Sequence, residues 1–218
     1  MVSSADAQVL GRAELCGASA LLLVDPRLDC ELADIWLRDV LRREFGRPDI
    51  DLIRRPSGRP SLAPPYHEVG VSISRRCGLI FAGFAPDGAV GVDLEPGSSV
   101  SSEEVVLLAK DHFAIREAEA VTGRRDEAAR DLFLRLWVSK EAALKTTGRG
   151  IYDGVDEPDL HPHLAEIVAS APILVCAGRR IPMMTLECKT WKLSGAGLIY
   201  GAVAVCGARG HGRDDAFD

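Results

Sequence analysis

A helix followed by about three strands recurs in both halves of the 218-residue chain. The halves are joined by the short, turn-rich stretch Pro96-Gly97-Ser98-Ser99. This order predicts an α+β fold made of two similar lobes with a site between the copies. The lobes are drawn at 1–97 and 98–207, and the polar, glycine-rich stretch 208–218 as a disordered tail. No residue-level repeat accompanies the pattern, so the duplication rests on the order of elements alone.

The elements follow from local signals. Residues 21–24 form a short apolar strand, and Asp25-Pro26 then supplies a helix N-cap with proline in the first turn. Leu28, Leu32, Ile35, Trp36, Val40 and Leu41 make one apolar side of that helix, which stops at Gly46. Residues 47–68, rich in Pro, Gly and Arg, read as a loop. Residues 69–74 alternate apolar and small polar side chains, as a strand does. Residues 79–85 and 89–95 flank Pro86-Asp87-Gly88 and read as a hairpin. Ser101-x-x-Glu104 is a capping box opening a helix, and a second helix stops at Gly123. Residues 124–130 are charged and solvated, and lead into a helix that ends at Gly148, where glycine accepts the left-handed stop. Strands are expected at 173–176, 183–191 and 199–206, with loops marked by Pro158, Pro162 and Pro172.

Two stretches carry candidate chemistry. On the last helix Leu132, Leu136, Ala143 and Leu144 form a buried stripe, while Trp137, Glu141 and Lys145 lie at i, i+4, i+8 along one line, with Lys140 beside them. Such a set is either an exposed Glu141–Lys145 pair or a site. On the strand Gly91-Val92-Asp93-Leu94-Glu95, Asp93 and Glu95 share a face. Side-by-side carboxylates repel unless a cation sits between them, and oxygen ligands that leave room for water and phosphates suit Mg²⁺.

Charge and composition narrow the classes. A net charge of −6 argues against nucleic acid as the main partner. Arginines at 38, 42, 43, 47, 54, 55 and 59 nevertheless outnumber the nearby acids, which points to a compact anionic ligand, an acidic protein patch or a solvated helix face. The apolar runs 21–24 and 198–205 are too short to span a bilayer, and the first residues lack a signal-peptide pattern, so a cytoplasmic protein is expected. Six cysteines without a C-x-x-C read as reduced thiols. His161-x-His163 lacks a third ligand in evident spacing and reads as a loop. There is no G-x-x-x-x-G-K-[ST] loop and no kinase signature.

Gly-Val-Asp-Leu-Glu at 91–95, followed by Trp137-x-x-Lys140-Glu141-Ala142-x-x-Lys145, resembles the larger, pseudo-dimeric class of 4′-phosphopantetheinyl transferases. The resemblance covers roughly residues 21–151 by motif. It implies two similar α/β lobes in a pseudo-twofold arrangement, and transfer of the phosphopantetheine arm of coenzyme A to a serine of an acyl or peptidyl carrier protein. It also implies Mg²⁺, with Mn²⁺ as an alternative, held by Asp93, Glu95 and Glu141. Glu141 or water on the metal would be the base, and Lys145 would stabilise or protonate the leaving adenosine 3′,5′-bisphosphate. Lys140 and Lys145 would meet coenzyme A phosphates. Gly58-Arg59-Pro60 resembles the family's nucleotide turn, and Arg38 and Arg59 would hold the nucleotide's end. Val71-Ser72-Ile73-Ser74-Arg75 resembles the segment in which a Ser-His pair receives the pyrophosphate. Ser74 is kept and Arg75 stands in place of the histidine, which preserves anion binding and loses a titrating imidazole. Phe113-Ala114-Ile115-Arg116-Glu117 resembles a further family segment. A lobe supplied twice by one chain implies a monomer. A non-catalytic relative that binds coenzyme A or a carrier protein, and an unrelated Mg²⁺-dependent phosphotransferase, are the alternatives.

Overall fold

The structure, a computed structural model, describes residues 9–24, 30–56, 58–148, 158–175, 183–194 and 197–207. Its first sheet opens with a strand for which the sequence offered no signal. Val9–Leu15 (β1) pairs antiparallel with Ala18–Val24 (β2) across Cys16-Gly17, both at positive φ as a two-residue hairpin turn demands. Helix Cys30–Glu44 (α1) buries Leu37, Val40 and Leu41, while Ile35, expected on that face, is 44% exposed. The expected cap Asp25-Pro26 and Leu28 lie outside the described residues, as do the side chains of Leu32 and Trp36. The 47–68 stretch is not all loop: Leu52–Arg54 (β3) and Pro60–Leu62 (β4) form a small antiparallel ribbon. Gly70–Arg76 (β5) and Leu79–Ala85 (β6) complete the first sheet in the order β1-β2-β6-β5.

Ala89–Pro96 (β7) does not form the expected hairpin with β6. Both edges of β6 are already taken, by β2 and β5, so β7 crosses to the second sheet. That sheet runs β7-β10-β9-β8, where β8 is Ile173–Val175, β9 Met184–Leu193 and β10 Gly197–Cys206. Asp93 is opposite Ala202 and Glu95 opposite Tyr200. The chain thus changes sheets between β6 and β7, at Pro86-Asp87-Gly88. The two sheets share a core, in which Val90, Val92 and Leu94 meet Leu22 and Phe81. Gly83 permits the approach, since a Cβ there would lie 2.5 Å from Val92 Cγ1.

The opposite face of β7 meets the helices. Ser101 and Glu104 close the expected capping box on Ser102–His112 (α2), and Ile115–Thr122 (α3) stops at Gly123. Asp126–Thr147 (α4) ends at Gly148 with φ 75°, the left-handed stop read from the sequence. Leu132, Leu136, Ala143 and Leu144 are buried as expected, but so is most of the rest of α4. Sheet residues Leu186, Ala202 and Ala204 cover one side of it, and Val105, Ala109, Val121 and Ile167 cover the other. His161–His163 form a 3₁₀ turn rather than a loop, leading into Leu164–Val168 (α5). Among the described residues Cys16, Cys77, Cys188 and Cys206 take part in no disulfide. No helix among them is long and apolar enough to cross a membrane.

Gly91 sets how closely α4 approaches β7. A Cβ there would collide with the Ala142 carbonyl oxygen and stand 2.9 Å from the Thr146 nitrogen. Both are helix backbone and cannot rotate away. Gly91→Ala is expected to cost ~1–3 kcal/mol by overpacking, read as a lower thermal midpoint.

Candidate active site

Strand parity puts Gly91, Asp93 and Glu95 on the α4 side of β7 while Val92 and Leu94 enter the core. Asp93 is buried and its Oδ1 accepts two hydrogen bonds, from Lys145 Nζ at 2.7 Å and from Ser74 Oγ at 2.9 Å. Lys145 Nζ also donates to the Val92 carbonyl at 3.0 Å. Glu95 is mostly buried and takes Arg76 Nε at 3.2 Å. Burial pushes Glu95 up, Arg76 opposes this, and Asp93 adds to it. The structure thus brings together Asp93, Glu95, Glu141, Lys145 and Ser74 from β5, β7 and α4.

Glu141 is the carboxylate of this set with an oxygen left unsatisfied. It is 4% exposed and its Oε1 is buried without a hydrogen-bond partner. Burial pushes it up to about 7, Asp93 adds to the shift, Lys145 opposes it and Glu95 adds further. A buried carboxylate oxygen with no donor, beside two more carboxylates, is a donor set that suits a hard divalent cation. The set is not closed, however. Among the described residues no three His, Cys, Asp or Glu side chains are gathered as a metal cluster, and the Lys145 ammonium sits on Asp93. Asp93, Glu95 and Glu141, the triad expected from the sequence, lie close enough for their charges to act on one another, but among the described residues they form no preformed metal cage.

Three expected site residues stand elsewhere. Lys140 is fully buried on another side of α4, its Nζ 2.8 Å from Glu117 Oε2 and donating to the Pro158 carbonyl at 2.7 Å. An ammonium enclosed in this way is a strut between helices, not a phosphate contact. Arg75 points to the α1 side of β5, where it pairs with Asp34. Period-2 alternation puts Ser74 and Arg76 on the carboxylate side instead, so the strand's cation in this group is Arg76, which sequence reading passed over. Arg38 pairs with Asp51 at 3.5 Å and Asp39 at 3.8 Å on α1 and is not among the cavity residues described next.

A cavity of about 450 Å³ lies at the start of β7, lined by Arg55, Arg59, Ser61, His67, Glu68, residues 69–71 and residues 86–89. Arg59 is where the sequence put it, on the turn between β3 and β4. Its guanidinium reaches the end of α4: a Cβ on Gly148 would lie 2.5 Å from Arg59 Nη1. A cation there complements the negative end of the helix dipole. Ala89 in the cavity wall and Asp93 occupy one side of β7, and Gly148 is one turn beyond Lys145. The cavity, lined by two arginines and by Glu68 and Asp87, therefore lies along the same side of β7 as the carboxylates.

Residues 89–175, which contain β7, α4 and most of this group, match the 4′-phosphopantetheinyl transferase superfamily. Over this segment the chain is similar to that superfamily. It is 34% identical over 105 residues to a putative 4′-phosphopantetheinyl transferase, slr0495, of Synechocystis, a stretch covering 47% of this chain and 41% of that protein. Against the 4′-phosphopantetheinyl transferase HetI of Nostoc it is 35% identical over 99 residues, 43% of this chain and 40% of HetI. Against the 4′-phosphopantetheinyl transferase Sfp of Bacillus subtilis it is 25% identical over 134 residues, 61% and 57% of the two chains. The aligned stretches thus span about two fifths of the first two relatives and under two thirds of the third.

Proposed function

We propose that the protein transfers the 4′-phosphopantetheine arm of coenzyme A to a serine of an apo acyl or peptidyl carrier protein. The observation that carries this reading is the convergence of Asp93, Glu95, Glu141 and Lys145, inside the segment that matches the superfamily, beside an arginine-lined cavity. In the reaction the serine Oγ bonds to the phosphorus that carries the pantetheine arm. The bond from that phosphorus to the bridging oxygen of the pyrophosphate breaks, and adenosine 3′,5′-bisphosphate leaves. The serine proton passes to Glu141 or to a water, and a Glu141 that titrates near neutrality is matched to that role. Lys145 neutralises or protonates the departing oxygen. Mg²⁺, or Mn²⁺, on Asp93, Glu95 and Glu141 would supply charge neutralisation for the pyrophosphate. Ser74 orients Asp93, and Arg59 with Arg55 holds the nucleotide.

The same reading takes the two four-stranded sheets as two lobes in a pseudo-twofold arrangement, with the site between them. A cytoplasmic monomer follows from it, with coenzyme A and a carrier protein as partners and neither nucleic acid nor membrane. The second reading is a relative that binds without transferring, and its support is Lys145 sitting on Asp93 together with Arg75 turned away from the carboxylates.

Thermal unfolding tests ligand identity. Coenzyme A with Mg²⁺ is expected to raise the midpoint well above ATP with Mg²⁺, since a ligand at a hundred times its Kd adds about 2.7 kcal/mol. Arg59→Ala is expected to remove most of that gain. Equal shifts from the two nucleotides would contradict the coenzyme A reading.

A further inference from the structure

One carboxylate outside the catalytic group joins three segments around the cavity. Asp34 lies on α1, close to the buried Leu37. It takes Arg54 as a two-pronged partner, with Nε and Nη2 each at 2.9 Å from its two oxygens. It also accepts from Arg75 Nη2. The remaining nitrogen of Arg54, Nη1, donates to the Gly58 carbonyl at 3.1 Å, closing the turn that follows β3. Helix α1, the β3–β4 turn and the end of β5 are therefore fastened at one point.

Each fastened segment carries something the site uses. The turn presents Arg55 and Arg59 to the cavity. The end of β5 presents Ser74 to Asp93, one residue before Arg75. We propose that Asp34 is a positioning residue that holds the turn and β5 in register, so that the cavity arginines and Ser74 face one ligand. The proposal rests on the functional reading above for the nature of that ligand, coenzyme A.

The chemistry suits the role. A guanidinium matched to a carboxylate by two parallel hydrogen bonds is fixed in direction as well as in place. Asp34 is only partly exposed. Burial raises its pKa, but the hydrogen bonds and charges of Arg54 and Arg75 outweigh this and hold it below the ordinary carboxylate range, so it stays ionised at neutral pH. The competing idea is that Asp34 occupies an anion site and masks the two arginines from a ligand. Neither Arg54 nor Arg75 lines the cavity, which favours positioning.

Two readouts test this. Trypsin can cut the turn at the Arg54–Arg55 bond, whereas Arg55 and Arg59 are each followed by proline. Asp34→Ala is expected to speed cleavage there about tenfold and to weaken coenzyme A binding about tenfold by calorimetry, with kcat within about twofold of the parent. Asp34→Glu is expected to recover most of both losses. Should Asp34→Ala fold poorly, Asp34→Asn serves in its place, with the melting curve as control. Unchanged cleavage, or coenzyme A binding that is unchanged or tighter, would overturn the proposal. If the parent protein binds no coenzyme A, the functional reading fails, while the cleavage rates still decide whether Asp34 fastens the turn.

Discussion

Glu141→Gln is expected to lower phosphopantetheine transfer about a thousandfold or more while making the metal-free protein more stable above neutral pH. Glutamine keeps the shape but loses the charge and the basic oxygen, so the reaction loses both a metal donor and a proton acceptor. The stability effect has the opposite sign. Glu141 titrates at about 7 in the folded protein against an ordinary value of 4.5, because burial and the Asp93 charge penalise its ionised form. Below pH 4.5 it is protonated both folded and unfolded and contributes nothing. Between 4.5 and 7 the unfolded chain sheds the proton first, so stability falls as pH rises. Above 7 the whole penalty is present, up to about 3 kcal/mol at 1.36 kcal/mol per unit. Denaturant melts of parent and variant are therefore expected to agree near pH 4 and to separate at pH 8. Saturating Mg²⁺ is expected to raise the parent's midpoint and leave the variant's almost unchanged. Equal stabilities at pH 8 would place the Glu141 charge in solvent.

Lys140→Ala is expected to be the most damaging substitution for the fold, at ~3–5 kcal/mol. Lys140 and Glu117 are both fully buried, and their ion pair is the joint between α3 and α4. Glu117 also takes the Ala114 and Leu160 amides, at 3.1 and 2.7 Å, and so pins the chain where it returns towards α5. Removing the ammonium leaves a carboxylate in the core with no counter-charge, which costs more than the pair itself contributes. A lower melting temperature with normal coenzyme A binding in the protein that remains folded is the expected outcome. A normal melting temperature with a raised KM for coenzyme A would restore Lys140 as a phosphate contact.

The contrast between these two neighbours shows how far sequence reading reaches. The stop of α4 at Gly148 and the capping box at Ser101 rest on local chemistry and were legible, whereas the start of α4 at Asp126 falls inside the stretch read as its solvated lead-in. Asp93, Glu95, Glu141 and Lys145 were legible too, because strand parity and the i, i+4 rule fix which side chains share a face. Periodicity failed for Lys140. A helix buried on nearly every side has no single inward stripe, so spacing could not say whether this lysine faced the site or the core. The signal that could have corrected it was Glu117, an acid at the fifth position of the Phe113 segment with no other role. Arg75 was misplaced for a simpler reason. The period of two that paired Asp93 with Glu95 also separates Arg75 from Ser74 and puts Arg76 on the carboxylate side. The pairing of β7 was not legible at all, since it depends on β2 and β5 already occupying both edges of β6. Strand β1, built partly of Ala, Glu and Arg, carries little strand preference of its own and is made by β2 alongside it.

The proposed transfer of a phosphopantetheine arm depends on the carboxylates of β7 and α4. Mass spectrometry of purified apo carrier proteins, incubated with this protein, Mg²⁺ and coenzyme A, tests it most directly. The expected result is a gain of one phosphopantetheine on the carrier serine, absent with a chelator and absent with Glu141→Gln. Unmodified carriers from fatty acid, polyketide and peptide synthesis, in the presence of protein that demonstrably binds coenzyme A, would contradict it and leave a binding protein built on a transferase fold.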